Sequence, residues 1–544
     1  MRWCLLLFAI FVLGGTMPAA TLHEEMVPMR DGVRLFTRTM IPGEGKHPCV
    51  FSRTPYPRGN ALKSPYPQEL VDRDVCVRHG YVSVGQHCRG FGLSEGLCRP
   101  YEEREDGLDT LEWIRRQPWY NGEIFLDGGS YLSSVHLTYL SVEQPDIKGA
   151  ALSIQTDRMY FRNYRNGCCY NWSNLNWWRS MMLREFPDAK KAGDAIRRPY
   201  ADIARRMFGK DVPAYTARLM HVDYDEFWQS QPQSDVMEHI RFPVLWTDGW
   251  WDFYIEGMTS MWERMLPEWK AKSCFVIAGR GHSDSGALSD STIPHARQVE
   301  KQVDPFDFFD AIRRGRPNPS IPYGKVRAYS VGADEWFTDV WPRPGKGTRE
   351  LWLGADGRLS DRDAIGEGEV KWVYDPRKTS RGFGDEKSVR AFDPSGCGYA
   401  RAFVSDPFAS RADFFGRPRI RVPVRSTCED TQYFFRIDLV KPDGEAWGIC
   451  QTITSLRHAK PDYSPGETAL IELDFPLTAF AVGEGWRVRL DVTSQGGPWV
   501  PHANVAKHWA EVLDGEVRVA TNSVVCGIQA CLFLPIQYDT MIGK

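Results

Sequence analysis

The sequence predicts an α/β domain interrupted by a helical insertion and followed by an all-β domain. Three textures along its 544 residues predict it. Between residues 47 and 155, apolar β-prone runs alternate with helical patterns, as in a parallel sheet with crossover helices. From about Asp157 to Ile240 the chain is rich in arginine and aromatic residues, with helical periodicity and no convincing strand. After about residue 348, short alternating runs separated by turn signals form the signature of a β-sandwich. At about 150 residues per domain, the length holds three to four such units.

Taken in chain order, Met1 and Arg2 form a positive start, and Trp3 to Gly15 is apolar and followed by small residues up to Ala20. This pattern predicts a secretory signal over residues 1–20 and an exported mature chain with no membrane segment after cleavage. The runs Pro48 to Ser52, Tyr81 to Gly85, Glu123 to Asp127 and Lys148 to Ile154 are predicted parallel strands. Acidic Tyr101 to Asp106, continuing through Leu108, Leu111, Trp113 and Ile114, predicts an amphipathic crossover helix with its acids at the N-terminus. Strand patterns return at Phe242 to Trp246 and Ser273 to Ile277, so the sheet resumes after the insertion and the insertion caps it. The runs Arg419 to Arg425, Tyr433 to Val440 and Trp486 to Thr493 are sandwich strands. The predicted domains are 21–156 with 241–347 for the α/β unit, 157–240 for the cap and 348–544 for the sandwich.

Hydrophobic residues make up 42% and charged residues 25%, which excludes a disordered or fibrous chain. With 67 Lys and Arg against 70 Asp and Glu, no global field points to nucleic acid. Of 13 cysteines, 12 remain after loss of Cys4 with the signal, and an even number in an exported chain predicts disulfides, with Cys88 and Cys98 as one candidate pair. No cysteine or histidine cluster has zinc spacing, so no metal and no cofactor is expected. Asn171 to Ser173 is a single glycosylation sequon.

The chemistry concentrates at strand ends. The predicted strand Glu123 to Asp127 runs through Gly128 and Gly129 into Ser130 and then a helical pattern, the context of a nucleophile elbow. Small residues are needed there because the turn is strained and the helix passes close to neighbouring strands. A glycine-rich loop without chemistry has the same local appearance, so partners decide. A serine nucleophile needs a base and an orienting acid, which in α/β-hydrolases follow in the order Ser, Asp or Glu, His. After the strand ending at Trp246 the chain offers Asp248 or Asp252, and after Ile277 it offers His282.

These residues, with Tyr56 after Ser52 to Pro55, the run Arg89 to Gly96, Gly128 to Tyr131, Tyr224 to Trp228, Gly249 to Asp252 and His282 to Ser283, resemble the cocaine esterase and X-Pro dipeptidyl-peptidase (S15-like) family of serine hydrolases. The resemblance implies an α/β-hydrolase domain, a helical cap and a C-terminal jelly-roll. It also implies Ser130 as nucleophile, Asp252 rather than Asp248 as triad acid, His282 as base, and Tyr56 with the backbone N–H of Tyr131 as oxyanion donors. Arg89 is implied to be structural. Two departures stand out: Ala278, Gly279 and Arg280 replace the family's usual Gly-Pro-Trp, and Ser133 stands where the elbow usually closes with glycine.

The expected function is that of a secreted serine hydrolase cleaving small-molecule esters or short peptides through an acyl-enzyme. The alternatives are an X-Pro dipeptidyl peptidase and a non-catalytic binding protein on the same scaffold. The sequence leaves a homo-oligomer open. Arg280 beside the histidine would repel a substrate ammonium if it pointed inward, and Asp157, Glu185, Asp248, Glu256 and Asp284 are the acids available to hold one.

Overall fold

A computed structural model describes residues 20–56, 73–170, 174–282, 288, 291–300, 302–343, 347–378, 398–497 and 499–537. Residues 1–19 of the predicted signal, Cys4 among them, and the sequon, Cys397, Ser283 and Asp284 lie outside the described residues.

The first body is a ten-stranded sheet. Strands β1 (Thr21–Pro28) and β2 (Arg34–Ile41) form an antiparallel hairpin, which is followed by β3 (His47–Thr54), helix α1 (Arg73–Arg78), β4 (Val82–His87), α2 (Arg104–Arg115), β5 (Tyr120–Gly129), α3 (Tyr131–Leu137) and β6 (Ile147–Ser153). In the insertion, Tyr164–Arg165 (β7) pairs with Cys168–Cys169 (β8) in a two-stranded ribbon among short helices. The sheet resumes with β9 (Val244–Gly249), β10 (Cys274–Ala278), β11 (Val326–Ser330) and an antiparallel edge strand β12 (Glu335–Asp339). Their spatial order is β1-β2-β4-β3-β5-β6-β9-β10-β11-β12, parallel from β4 to β11.

Each strand foreseen between residues 47 and 277 is present, extended by one to three residues at most ends. The two antiparallel edges are additions to the sequence reading. β1 alternates little and is largely exposed, so it lacks the apolar run of a central strand. The cap ribbon is the other difference, since two-residue strands carry no periodicity.

The C-terminal part is an all-β domain built on an eleven-stranded sheet and a two-stranded one. It is joined to the first body by main-chain pairing: Val331 N–H donates to Ala479 O at 3.1 Å and Ala481 N–H to Val331 O at 2.7 Å. It also meets the cap, where Arg165 Nη1 donates to Gln451 O at 3.1 Å and Asn166 Nδ2 to Ile453 O at 2.9 Å.

The cysteines depart from expectation. None of the eleven described ones forms a disulfide, Cys88 and Cys98 included, and nine of the eleven are buried. They pack as small apolar side chains, and burial pushes the Cys88 and Cys98 thiols above their ordinary range.

Candidate active site

The register of the parallel strands aligns their carboxyl ends. Gly129 pairs with Ser153 across β5 and β6, Ser153 with Thr247 across β6 and β9, and Gly249 with Ala278 across β9 and β10. Loops leaving these strands therefore emerge side by side at one edge of the sheet, where open α/β sheets bind ligands.

Ser130 follows β5 with φ +55 and ψ −124, a left-handed conformation that a non-glycine side chain enters only when its surroundings hold it there. Ser130 N–H donates to Ser153 O at 2.9 Å, and Gln155 Nε2 donates to Ser130 O at 3.1 Å. Gly128 admits no side chain, because a Cβ there would lie 2.5 Å from Leu132 O. Ser133, in place of the usual glycine, is small enough to fit, and its hydroxyl donates to Gly128 O at 2.5 Å and Ser153 O at 3.1 Å. This departure thus fastens the elbow rather than opening it.

Ser130 Oγ lies 2.9 Å from His282 Nε2, and His282 Nδ1 lies 2.7 Å from Asp252 Oδ2. The three side chains expected to act together are thereby brought into one hydrogen-bonded chain spanning three strand ends. Asp252 is fully buried, and its other oxygen accepts the Tyr254 N–H at 2.7 Å, which fixes the carboxylate. The His282 ring stacks on Phe253 at 4.4 Å.

The acid and histidine turns interlock through the backbone. A Cβ on Gly249 would sit 2.1 Å from Arg280 O, so only glycine allows this approach. Trp250 N–H donates to Ala278 O and Trp251 N–H to Arg280 O, each at 3.1 Å. Asp248, the competing acid, points elsewhere: it is buried, and its Oδ1 accepts the Gly249 N–H at 2.7 Å. Burial and the neighbouring Asp252 carboxylate push its pKa well up. Arg280 lies within electrostatic reach of Asp248.

Tyr56 closes the β3 end of the site. Trp177 of the cap donates its indole N–H to Tyr56 Oη at 2.9 Å, and the same indole lies 5.1 Å from the Tyr131 ring. Burial raises the Tyr56 phenol to about 12, so it keeps its proton at neutral pH. Tyr131, directly after the nucleophile, is buried; its hydroxyl donates to Glu103 and accepts the Tyr101 N–H at 3.1 Å. Arg89 is tied to Asp106, at 2.6 and 3.1 Å, and to Asp31 at 2.7 Å, in a scaffolding arrangement.

Gln155, Tyr254, Arg162 and Trp177 also belong to this site and were not singled out from the sequence. Only Tyr254, two residues beyond Asp252, sits at a spacing that draws attention.

Residues 31–282 match the family model for X-Pro dipeptidyl-peptidase (S15 family), and residues 323–508 match that for the X-Pro dipeptidyl-peptidase C-terminal non-catalytic domain. The chain is 25% identical over 535 residues to cocaine esterase of Rhodococcus sp. (strain MB1 Bresler), covering 87% of this chain and 90% of that one. It is 32% identical over 541 residues to a Mycobacterium bovis protein named as a serine esterase, covering 85% and 84%. Among solved structures, an aminopeptidase from a marine sediment archaeon (Thaumarchaeota archaeon) superposes with a TM-score of 0.80 at 20% identity, over 96% of this chain and 97% of that one. The chain is a serine hydrolase and belongs to the X-Pro dipeptidyl-peptidase (S15) family.

Proposed function

We propose that this chain hydrolyses carboxylic esters through an acyl-enzyme on Ser130. The observation that carries the reading is the chain of contacts from Ser130 Oγ to His282 Nε2 at 2.9 Å and from His282 Nδ1 to Asp252 at 2.7 Å. Ser130 Oγ attacks the ester carbonyl carbon as its proton passes to His282 Nε2, and Asp252 stabilises the imidazolium through Nδ1–H. The carbonyl oxygen becomes an oxyanion that the Tyr56 hydroxyl and the Tyr131 backbone N–H hydrogen-bond. The bond to the leaving oxygen then breaks and His282 returns the proton to it. Water, deprotonated by Nε2, cleaves the acyl-serine and restores Ser130.

Esters are favoured over N-terminal dipeptides because described acids that could hold a substrate ammonium are engaged. Asp157 pairs with Arg264 at 2.6 Å, Glu256 with Arg165, and Glu185 with Arg99 at 3.3 Å, while Asp248 lies beneath the turn. The relative named cocaine esterase supports the same reaction class. The test is a fluorophosphonate probe with peptide mapping, followed by a panel of aryl esters and dipeptidyl-Pro arylamides. Labelling at Ser130 with higher kcat/KM on an ester is the expected result. No labelling, or a dipeptidyl-Pro arylamide turned over best, overturns the reading.

A further inference from the structure

The Tyr131 N–H is one end of the Ser130–Tyr131 peptide, and the other end is the Ser130 carbonyl. A peptide is planar, so whatever holds the carbonyl also aims the N–H. Ser130 O accepts the Ser133 N–H at 3.0 Å, the Ser134 N–H at 3.1 Å and Gln155 Nε2 at 3.1 Å. The two serine bonds belong to the elbow itself, whereas Gln155 reaches in from the loop after β6. Gln155 is buried, and its Oε1 accepts the Thr156 N–H at 2.9 Å, which fixes the amide with Nε2 toward Ser130. Hydrogen bonds to a carbonyl polarise its peptide and strengthen the donor at the opposite end, the more so in a low dielectric.

The Tyr131 side chain fixes the same residue from another direction. Its hydroxyl donates to Glu103 Oε1 and accepts the Tyr101 N–H at 3.1 Å, and all three residues are buried. Tyr101 is held at φ +71, a conformation that a tyrosine keeps only where its surroundings impose it. Glu103 is anchored in turn. Its carbonyl accepts Arg53 Nη1 at 3.1 Å, and Arg53, fully buried, lies in β3, the strand that leads to Tyr56. Both oxyanion donors are thereby tied to one strand. Gln155 and Glu103 stand apart from the relay that runs from Asp252 through His282 to Ser130. An effect exerted through them therefore falls on the oxyanion and not on proton transfer.

We propose that Gln155 and Glu103 are positioning residues for the oxyanion donor: Gln155 fixes and polarises the Ser130–Tyr131 peptide through its carbonyl, and Glu103 with Tyr101 clamps the Tyr131 side chain. The Tyr131 N–H is thus aimed before the oxyanion forms. This rests on the ester-hydrolase reading. A donor held in place beforehand needs no reorganisation in the transition state, and loosening it lowers kcat while ground-state binding is kept.

The experiment uses the full chain, 4-nitrophenyl butyrate as substrate and an alkyl trifluoromethyl ketone as inhibitor. Ser130 Oγ adds to the ketone carbon as its proton passes to His282, and the resulting hemiketal oxyanion meets the same donors with no leaving group to expel. Gln155→Met should lower kcat about 3- to 10-fold, the effect of one neutral hydrogen bond, with KM little changed. The inhibition constant of the ketone should rise by a similar factor. The acid limb of the kcat/KM profile, which reports the free-enzyme base, should stay at its wild-type position. Tyr131→Phe removes one oxygen from the other clamp and should behave alike. Glu103→Leu should do the same, and Glu103→Gln, which keeps an acceptor, should recover most of that loss. Wild-type kcat in both Gln155→Met and Tyr131→Phe, a loss carried by KM with ketone affinity unchanged, or a displaced acid limb would overturn the proposal. Tyr131→Phe decides it where Gln155→Met does not fold. Failure of the proposal on the variants leaves the hydrolase reading intact, whereas a wild type that neither takes the fluorophosphonate label nor hydrolyses the ester overturns both.

Discussion

Trp251 donates its indole N–H to the Gly448 carbonyl at 3.0 Å, so the C-terminal domain holds the residue that directly precedes Asp252. On its other side, Trp250 donates to Tyr329 O at 2.7 Å, anchoring the same turn to β11. A domain that contributes no member of the proton relay thus fixes the acid's position. Trp251→Phe keeps the ring packing and removes the donor, leaving Gly448 O without it. We expect a stability loss of about 1 kcal/mol and a fall in kcat of roughly 3- to 10-fold with little change in KM. Thermal melts and steady-state kinetics check it; a variant with wild-type kcat would make the contact purely structural.

Ser130→Ala, His282→Ala and Asp252→Asn should each lower kcat by at least about 1000-fold while the protein stays folded, because the three side chains act as a unit. Asp248→Asn should do much less, since Asp248 bonds the Gly249 N–H rather than the imidazole. Reversed effects at positions 248 and 252 would reassign the acid.

Tyr56→Phe should lower kcat by roughly 100- to 1000-fold with KM little changed, the loss of one oxyanion donor. The indole of Trp177 donates to the phenol oxygen and so leaves the phenol proton available. Trp177→Phe should accordingly show a smaller loss of the same kind. Wild-type kcat in Tyr56→Phe would return Tyr56 to a packing role.

The parts of the molecule legible in the sequence are those with a repeating or local signal. Buried strands such as Ile124 to Leu126 and Phe275 to Ile277 are near-continuous apolar runs, and Ser130, Asp252 and His282 sit just past three of them. The edge hairpin β1 and β2 carries no such run, and its exposed outer strand reads as loop. Gln155 and Arg162 could not be found this way. Gln155 reaches Ser130 because the backbone at Ile154 turns through φ +46, an uncommon conformation for a β-branched residue that no sequence pattern announces. Arg162 is one of many arginines in the insertion, and only the packing of the cap against Phe253 selects it. The cysteine count misled because compartment and number say nothing of the burial that lets a thiol serve as a small apolar side chain.

The last prediction concerns Glu103, whose carboxyl accepts the Tyr131 hydroxyl one residue beyond the nucleophile. It is 4% exposed, and burial raises its pKa from an ordinary 4.5 to about 7, although the Tyr131 bond and Arg53 pull the other way. Between these two values the folded chain holds a proton that the unfolded chain has released. Stability contributed by this group is therefore present below about pH 4.5 and is lost as pH rises through about 7. Glu103→Gln keeps an acceptor for Tyr131 and removes the titration, so its stability should lack this decline. Urea midpoints of both proteins at pH 5 and pH 8 measure the difference. Wild type should lose about 1–3 kcal/mol more than the variant between the two pH values, the scale set by 1.36 kcal/mol per pKa unit. Parallel pH dependences in the two proteins would show that Glu103 is ionised throughout and that its burial is compensated by Arg53 and Tyr131.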